Sequence, residues 1–260
     1  MNIDHQSLLD VLTKAALAGG KEVMWVYDGT ITVTEKADSS PQTEADIRAE
    51  KIILEHLAIA YPDIPTVAEE SAAAGETPDD FGERFFLVDP LDGTKEFVNR
   101  NGEFTVNIAL VEKGVPVAGV VYAPAIDRLF LGSLEKGAFE ARVELGAVTG
   151  LAPIHVRPRP VEGLTVVASR SHRGEKTDLY LKDFNVAELK PAGSSLKFCV
   201  VAAGEADLYP RHGPTMEWDT AAGHAVLLAA GGTVETEDGA RLAYGKPGFR
   251  NPYFIAKGDL

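Results

Sequence analysis

The sequence predicts an α/β (α+β) chain in two parts, and three observations lead there. Residues 104–132 hold three apolar stretches broken by short turns, Glu112-Lys113-Gly114 among them, which is the pattern of an antiparallel strand meander. Beyond residue 160, strand-like and helix-like stretches alternate, and such alternation implies layers of sheet and helix. Between the two regions, residues 145–160 carry prolines at 153, 158 and 160, marking a boundary between a first part, 1–150, and a second, 151–260.

The elements follow in order. Leu8, Leu12, Ala15, Gly19, Val23 and Val26 recur three or four apart, so residues 5–27 read as an amphipathic helix ending near Asp28-Gly29. Ser40-Pro41 offers an N-cap followed by proline at the first helical position, opening a second helix that ends near Ala60 and holds Asp46 in its early turns. After Tyr61-Pro62, a short extended piece at 65–68 runs into Glu69-Glu70-Ser71, and residues 71–82 read as a surface loop. The apolar run Phe85-Phe86-Leu87-Val88 then meets Asp89-Pro90-Leu91-Asp92-Gly93-Thr94, read as a strand, an acidic turn and a helix start. In the second part, strands at 164–169, 206–209, 232–235 and 253–256 alternate with helices at 175–184, 194–204 and 219–230.

Composition narrows the classes of function. With 45% hydrophobic and 25% charged residues the chain has an ordinary globular make-up. No apolar run approaches the roughly 20 residues a membrane span needs, and Met1-Asn2-Ile3-Asp4 lacks the basic start of a secretory leader. A cytoplasmic protein is therefore expected, which leaves open a visit to the inner face of the membrane. The net charge of -14 opposes binding to nucleic acid polymers or anionic lipid. All the excess acid lies in the first part, where 12 Lys and Arg face 26 Asp and Glu, against 13 and 13 in the second. That asymmetry fits either a solvated acidic face or cations held by the first part. The one cysteine, Cys199, excludes an internal disulfide, and beside Leu196, Val200 and Val201 it reads as a small buried hydrophobe.

Three short acidic motifs could carry chemistry. A strand that ends in Asp89 and Asp92 can aim two carboxylates at one cation, and Gly93 lets backbone approach an anion on it. The plainer alternative is that Asp-Pro and Asp-Gly are turn dipeptides. Glu69-Glu70 ends an extended segment twenty residues earlier, so neighbouring strands could bring Glu69 to the same sheet edge; otherwise it is surface charge. Asp219, in Trp218-Asp219-Thr220-Ala221-Ala222-Gly223, precedes an apolar helix and serves either as its N-cap or as a third acid. The histidines at 5, 56, 155, 212 and 224 read as packing.

Taken in order and at this spacing, the three motifs resemble the inositol monophosphatase superfamily of metal-dependent, lithium-sensitive phosphatases over nearly the whole chain. The strings Lys36-Ala37-Asp38, Lys95-Glu96-Phe97, Asn101-Gly102-Glu103-Phe104-Thr105-Val106-Asn107, Gly193-Ser194-Ser195-Leu196-Lys197-Phe198-Cys199 and Tyr209-Pro210-Arg211 are similar to its CysQ branch, bacterial 3'(2'),5'-bisphosphate nucleotidases. The resemblance implies a layered α-β-α-β-α sandwich with the active site between the two parts. It implies that Glu69, Asp89, the Leu91 carbonyl, Asp92 and Asp219 hold two or three Mg2+ ions, hard cations suited to oxygen donors. Thr94 and Asp46 would orient and deprotonate the attacking water. Glu69, Leu91, Asp92 and Asp219 would also meet substrate, with Gly93 and Thr94 holding the scissile phosphate. His172, Ser194, Lys197 and Arg211 would contact the nucleotide. Ser194 and Lys197, three apart, are expected on one helix face.

The activity so implied is Mg2+-dependent hydrolysis of the 3'-phosphate of adenosine 3',5'-bisphosphate to AMP, extending to its sulfated relative, by a monomer acting in sulfur metabolism on this small molecule. An inositol or fructose-bisphosphate phosphatase with the same centre is the nearest alternative. A noncatalytic metal- or phosphate-binding protein is the alternative of another class.

Overall fold

The computed structural model describes residues 3–35, 41–168 and 174–260. Helix α1 (His5–Tyr27) starts where Asp4 accepts the Ser7 N–H at 2.9 Å and buries Leu8, Leu12, Ala15, Gly19 and Val23 on one face. Strand β1 (Val33–Glu35) pairs antiparallel with β2 (Pro41–Thr43), and α2 (Glu44–Ala60) follows. The expected helix start at Ser40-Pro41 is therefore displaced: Pro41 is in a strand, while Ser40 lies outside the described residues. The physical reason is a stronger cap three residues later. Asp46 accepts the Thr43 N–H at 2.8 Å and the Thr43 hydroxyl accepts the Ala45 N–H at 3.2 Å, a reciprocal capping box.

Strand β3 (Thr66–Ala68) leads into a short helix α3 (Glu69–Ala73), so the expected loop begins only after the acidic motif. Strand β4 (Arg84–Asp92) does not stop at Val88; it carries on through Asp89, with its register against β5 (Thr105–Glu112) shifting between Asp89 and Asp92. Helix α4 (Thr94–Val98) comes next. Strands β5, β6 (Val115–Ala123) and β7 (Arg128–Ser133) form the expected meander, which β8 (Gly137–Glu144) and β9 (Ala147–Ile154) extend. The seven strands β3 to β9 lie side by side in chain order, antiparallel except for β3 with β4. Residues 145–160 thus include a strand. β9 has no fully buried residue, and a strand wet on both faces lacks the alternation that sequence patterns reveal.

The second sheet is built from β10 (Leu164–Ala168), β11 (Val186–Pro191), β12 (Leu208–Arg211), β13 (Thr233–Thr236) and β14 (Phe254–Lys257), in the order β11-β10-β12-β14-β13. Helices α5 (Glu175–Leu181), α6 (Leu196–Ala202) and α7 (Glu217–Ala229) interleave with these strands. β11 escapes the sequence pattern because it is an edge strand with Glu188 exposed.

Alternation along the central strands explains the layering. Phe86 and Val88 of β4 pack with Ile108 of β5 against α1 and α2, whereas Phe85 and Leu87 face α7 and α6 with Ala109 and Val111. Leu181 of α5 packs with Leu164, Val166, Leu208 and Ile255 under the second sheet. The result is the expected α-β-α-β-α sandwich. Among the described residues, no helix is long and apolar enough to cross a membrane.

Close approach of α7 to the first sheet depends on Gly119 in β6, where a Cβ would stand 2.7 Å from the Ala222 carbonyl oxygen. Gly119→Ala should therefore cost about 1–3 kcal/mol, as overpacking does, and lower the urea midpoint. An unchanged midpoint would contradict this contact.

Candidate active site

The acidic motifs meet at one end of the central sheet. Asp89 shares the odd-numbered face of β4 with Phe85 and Leu87, so it points toward α7; it is 1% exposed, and its Oδ1 accepts the Leu91 N–H at 3.0 Å. Asp219 is the third residue of α7 rather than the residue before it, and its Oδ2 accepts the Met216 N–H at 2.8 Å. It closes the first turn of that helix while facing the other acids. Burial, and after it Glu69, Asp92 and Asp219, push the Asp89 carboxyl well above the ordinary range. Burial, then Asp92 and Glu69, do the same to Asp219. Asp92 rises to about 6, chiefly by burial, with Lys197 opposing the shift. These mutual effects bring Glu69, Asp89, Asp92 and Asp219 into a single electrostatic group.

Gly93 links Asp92 to α4 with φ +93°, a left-handed conformation that favours glycine. It also admits Ser194, whose Oγ lies 2.2 Å from where a Cβ would stand. Thr94 opens α4, and its hydroxyl is 3.4 Å from both Asp46 Oδ1 and the Leu91 carbonyl oxygen. Asp46 is fully buried, with Oδ2 accepting from the Thr43 N–H and hydroxyl. Burial raises its carboxyl to about 7 against the pull of those two bonds.

Two cations share the site with the acids. Lys197 is buried on α6; its Nζ donates to the Ser194 carbonyl at 2.6 Å and lies 5.4 Å from the Tyr209 ring centroid. Burial lowers it to about 8, with Asp92 pulling the other way. Arg211, at the end of β12, donates through Nη2 to the Pro214 carbonyl at 3.0 Å and keeps a buried Nε with no partner among the described residues. A cavity of about 290 Å³ brings Glu69, Asp92, Asp219, Thr94, Lys197 and Arg211 onto a common wall. Ser194 also lines it, but differs from the expected helical position. It precedes α6 in a left-handed conformation, φ +49°, with its hydroxyl 2.8 Å from the carbonyls of Asp92 and Glu103. His172 lies outside the described residues.

Tyr209 also lines the cavity, unforeseen in the sequence; a strand that puts Tyr209 and Arg211 on the same face is the available signal. His224 is buried as expected, bonded through Nδ1 to the Tyr244 hydroxyl at 2.9 Å and pushed by burial to about 3. His56 and His212 bond to the Ile52 carbonyl and the Thr177 hydroxyl.

The donor set suits a hard divalent cation. Among the described residues no three or more His, Cys, Asp or Glu side chains form a ready-made cage. Magnesium does not demand one, since it binds through one or two carboxylates and completes its shell with water and phosphate oxygens. Carboxyls whose charged form burial and repulsion disfavour are the groups such a cation would stabilise as anions.

A layered sandwich with an acidic pocket of this kind defines a class of phosphatases: the sequence profile described as the inositol monophosphatase family matches residues 4–253, and the chain belongs to that family. Within it, the chain is 46% identical to the 3'(2'),5'-bisphosphate nucleotidase CysQ of Salmonella typhimurium, over 95% of this chain and 98% of that one. The CysQ protein of Escherichia coli is 45% identical over the same shares. The crystal structure of CysQ from Bacteroides thetaiotaomicron, a bacterial member of the same family, superposes with a TM-score of 0.83 at 38% identity over 100% of both chains. An inositol monophosphatase from Anabaena gives 0.77 at 27% identity, covering 99% of this chain and 93% of that one.

A carboxyl whose folded-state pKa is raised binds more protons in the native than in the unfolded state, so stability falls as pH climbs from the ordinary 3.8 of Asp92 through about 6. A cation that restores the charged form counters that loss only where the loss exists. Mg2+ should therefore raise the melting temperature more at pH about 7 than at pH about 5. An increment that shrinks with rising pH would contradict the assigned direction.

Proposed function

We propose that the chain is a 3'(2'),5'-bisphosphate nucleotidase that uses Mg2+ to hydrolyse the 3'-phosphate of adenosine 3',5'-bisphosphate, giving AMP and phosphate, and that also accepts the sulfated relative. The observation that carries this reading is one cavity lined by Glu69, Asp92 and Asp219 together with Lys197 and Arg211. A monophosphate needs only the acids and the ions they would hold. A bisphosphate has a second anion beyond the reach of the first site, and a buried lysine with an arginine that has an unused Nε is suited to take it.

In this reading Glu69, Asp89, Asp92, Asp219 and the Leu91 carbonyl hold two or three ions. When bound, magnesium supplies Lewis-acid stabilisation of phosphoryl and leaving oxygens and makes water more acidic. The chain's own residues do the rest. The Thr94 hydroxyl orients the attacking water and passes its proton to Asp46 Oδ1, which Thr43 holds in place. The N–H groups of Gly93 and Thr94, at the start of α4, hold the scissile phosphate. Lys197 and Arg211 bind the second phosphate; Ser194, and His172 by resemblance, complete the nucleotide contacts. The cytoplasm is the expected compartment.

An inositol or sugar phosphatase shares the acids, and Lys197 and Arg211 favour the nucleotide. Measured kcat/KM should be higher for adenosine 3',5'-bisphosphate than for inositol monophosphate or fructose 1,6-bisphosphate, and the reverse order would overturn the choice. Lys197→Met should raise KM for the bisphosphate about 10-fold or more, the worth of one charged hydrogen bond, while a simple phosphate monoester loses less. Asp89→Asn should abolish Mg2+-dependent phosphate release in a protein whose circular dichroism is unchanged; retained turnover would remove the metal mechanism.

A further inference from the structure

Ser71 and Glu50 have no part in the chemistry above, yet they are joined to each other at its edge. Glu50 is 4% exposed on α2, and its Oε2 accepts the Glu70 N–H at 2.7 Å. Its Oε1 accepts both the Ser71 N–H at 2.8 Å and the Ser71 hydroxyl at 2.6 Å. These are donors of the first turn of α3, a helix of five residues whose own N-cap, Ala68, offers no side-chain bond. A helix that short has no stability of its own, so contacts from elsewhere decide where it stands. Glu69 is its first residue.

We propose that Glu50 is a positioning residue, whose carboxylate grips the first turn of α3 from α2 and thereby fixes Glu69 toward the cation. This rests on the metal reading given above. Helix α2 is itself anchored, since Ala45, Ala49, Ile53 and Leu57 are buried against the sheet and α1. Asp46 and Glu50 lie four apart, on one face. Asp46 reaches Thr94 on the segment that follows Asp92, while Glu50 reaches the segment that follows β3. One helix thus sets the spacing between the two acid-bearing segments. The serine of Glu69-Glu70-Ser71 is explained by the same contact, because alanine there would leave Glu50 one donor short.

Glutamine at position 50 has one acceptor oxygen and an amide that donates, so it cannot serve the three donors that Glu50 accepts. The test is calorimetric titration of the full chain with magnesium chloride alone, for the parent, Glu50→Gln, Ser71→Ala and Asp89→Asn, each checked for folding by circular dichroism. Glu50→Gln should weaken magnesium binding about 10-fold or more, as loss of an outer support does, and Ser71→Ala should weaken it less. Turnover at saturating magnesium should stay near the parent value in both. Unchanged magnesium affinity in folded Glu50→Gln and Ser71→Ala, with Asp89→Asn losing it, overturns the proposal. A fall in saturated kcat without a change in affinity also overturns it. If Asp89→Asn keeps full magnesium affinity, the metal reading fails instead. Should Glu50→Gln not fold, Ser71→Ala decides alone, since it keeps both backbone bonds to Glu50.

Discussion

Four acidic side chains, Glu69, Asp89, Asp92 and Asp219, influence one another at the end of the central sheet, and their repulsion in a desolvated place is the constraint around which the fold is arranged. Charge taken out of water is costly unless it is paired or hydrogen-bonded. Each acid therefore has support from rigid structure. Asp89 accepts from the backbone two residues on, and Asp219 closes the first turn of α7. Asp92 is pulled back toward its charged form by Lys197. The same free energy that raises these carboxyls is what a divalent cation would recover on binding, so cost in the bare protein and affinity in the loaded one have a common origin.

The second constraint is distance between the two sheets' layers. Lys197 comes from α6, Arg211 from β12 and the acids from α3, β4 and α7, so a useful cavity requires the layers to close tightly. Small residues allow it. Gly93 leaves room for the Ser194 hydroxyl, and Gly119 lets α7 lie directly on β6. Ser194 then spends its hydroxyl on carbonyls of Asp92 and Glu103, locking the turn before α6 onto the acidic loop. Lys197 follows within three residues, and its ammonium folds back onto the Ser194 carbonyl. Catalytic spacing and layer packing are thus parts of one contact.

Several elements were legible from local pattern alone. The 3.6-residue spacing of α1 and the apolar strands β4 to β7 bury one stripe or both faces, so periodicity reports them directly. Helix α2 was read three residues early, because Ser40-Pro41 is a good local start and the capping box of Thr43 with Asp46 is better. Strands β9 and β11 were missed for a shared reason: they are edges without a fully buried residue, so neither shows the alternation of a half-buried strand. Ser194 was read as helical, although the left-handed turn that seats it against Gly93 has no signature in sequence.

The sequence by itself determined the identity and order of the acidic motifs, the alternation that makes two sheets, and a family resemblance carried by those motifs. These are local or composition-level properties, written in residue type and short spacing. Only the tertiary structure decided that Asp219 is a helix acid aimed at Asp89, that Lys197 is buried beside Asp92, and that Glu50 grips the turn carrying Glu69. Those facts join residues 20 to 130 positions apart, and no spacing rule reaches that far. Their energies depend on burial and on distance in space, which exist only once the layers have closed.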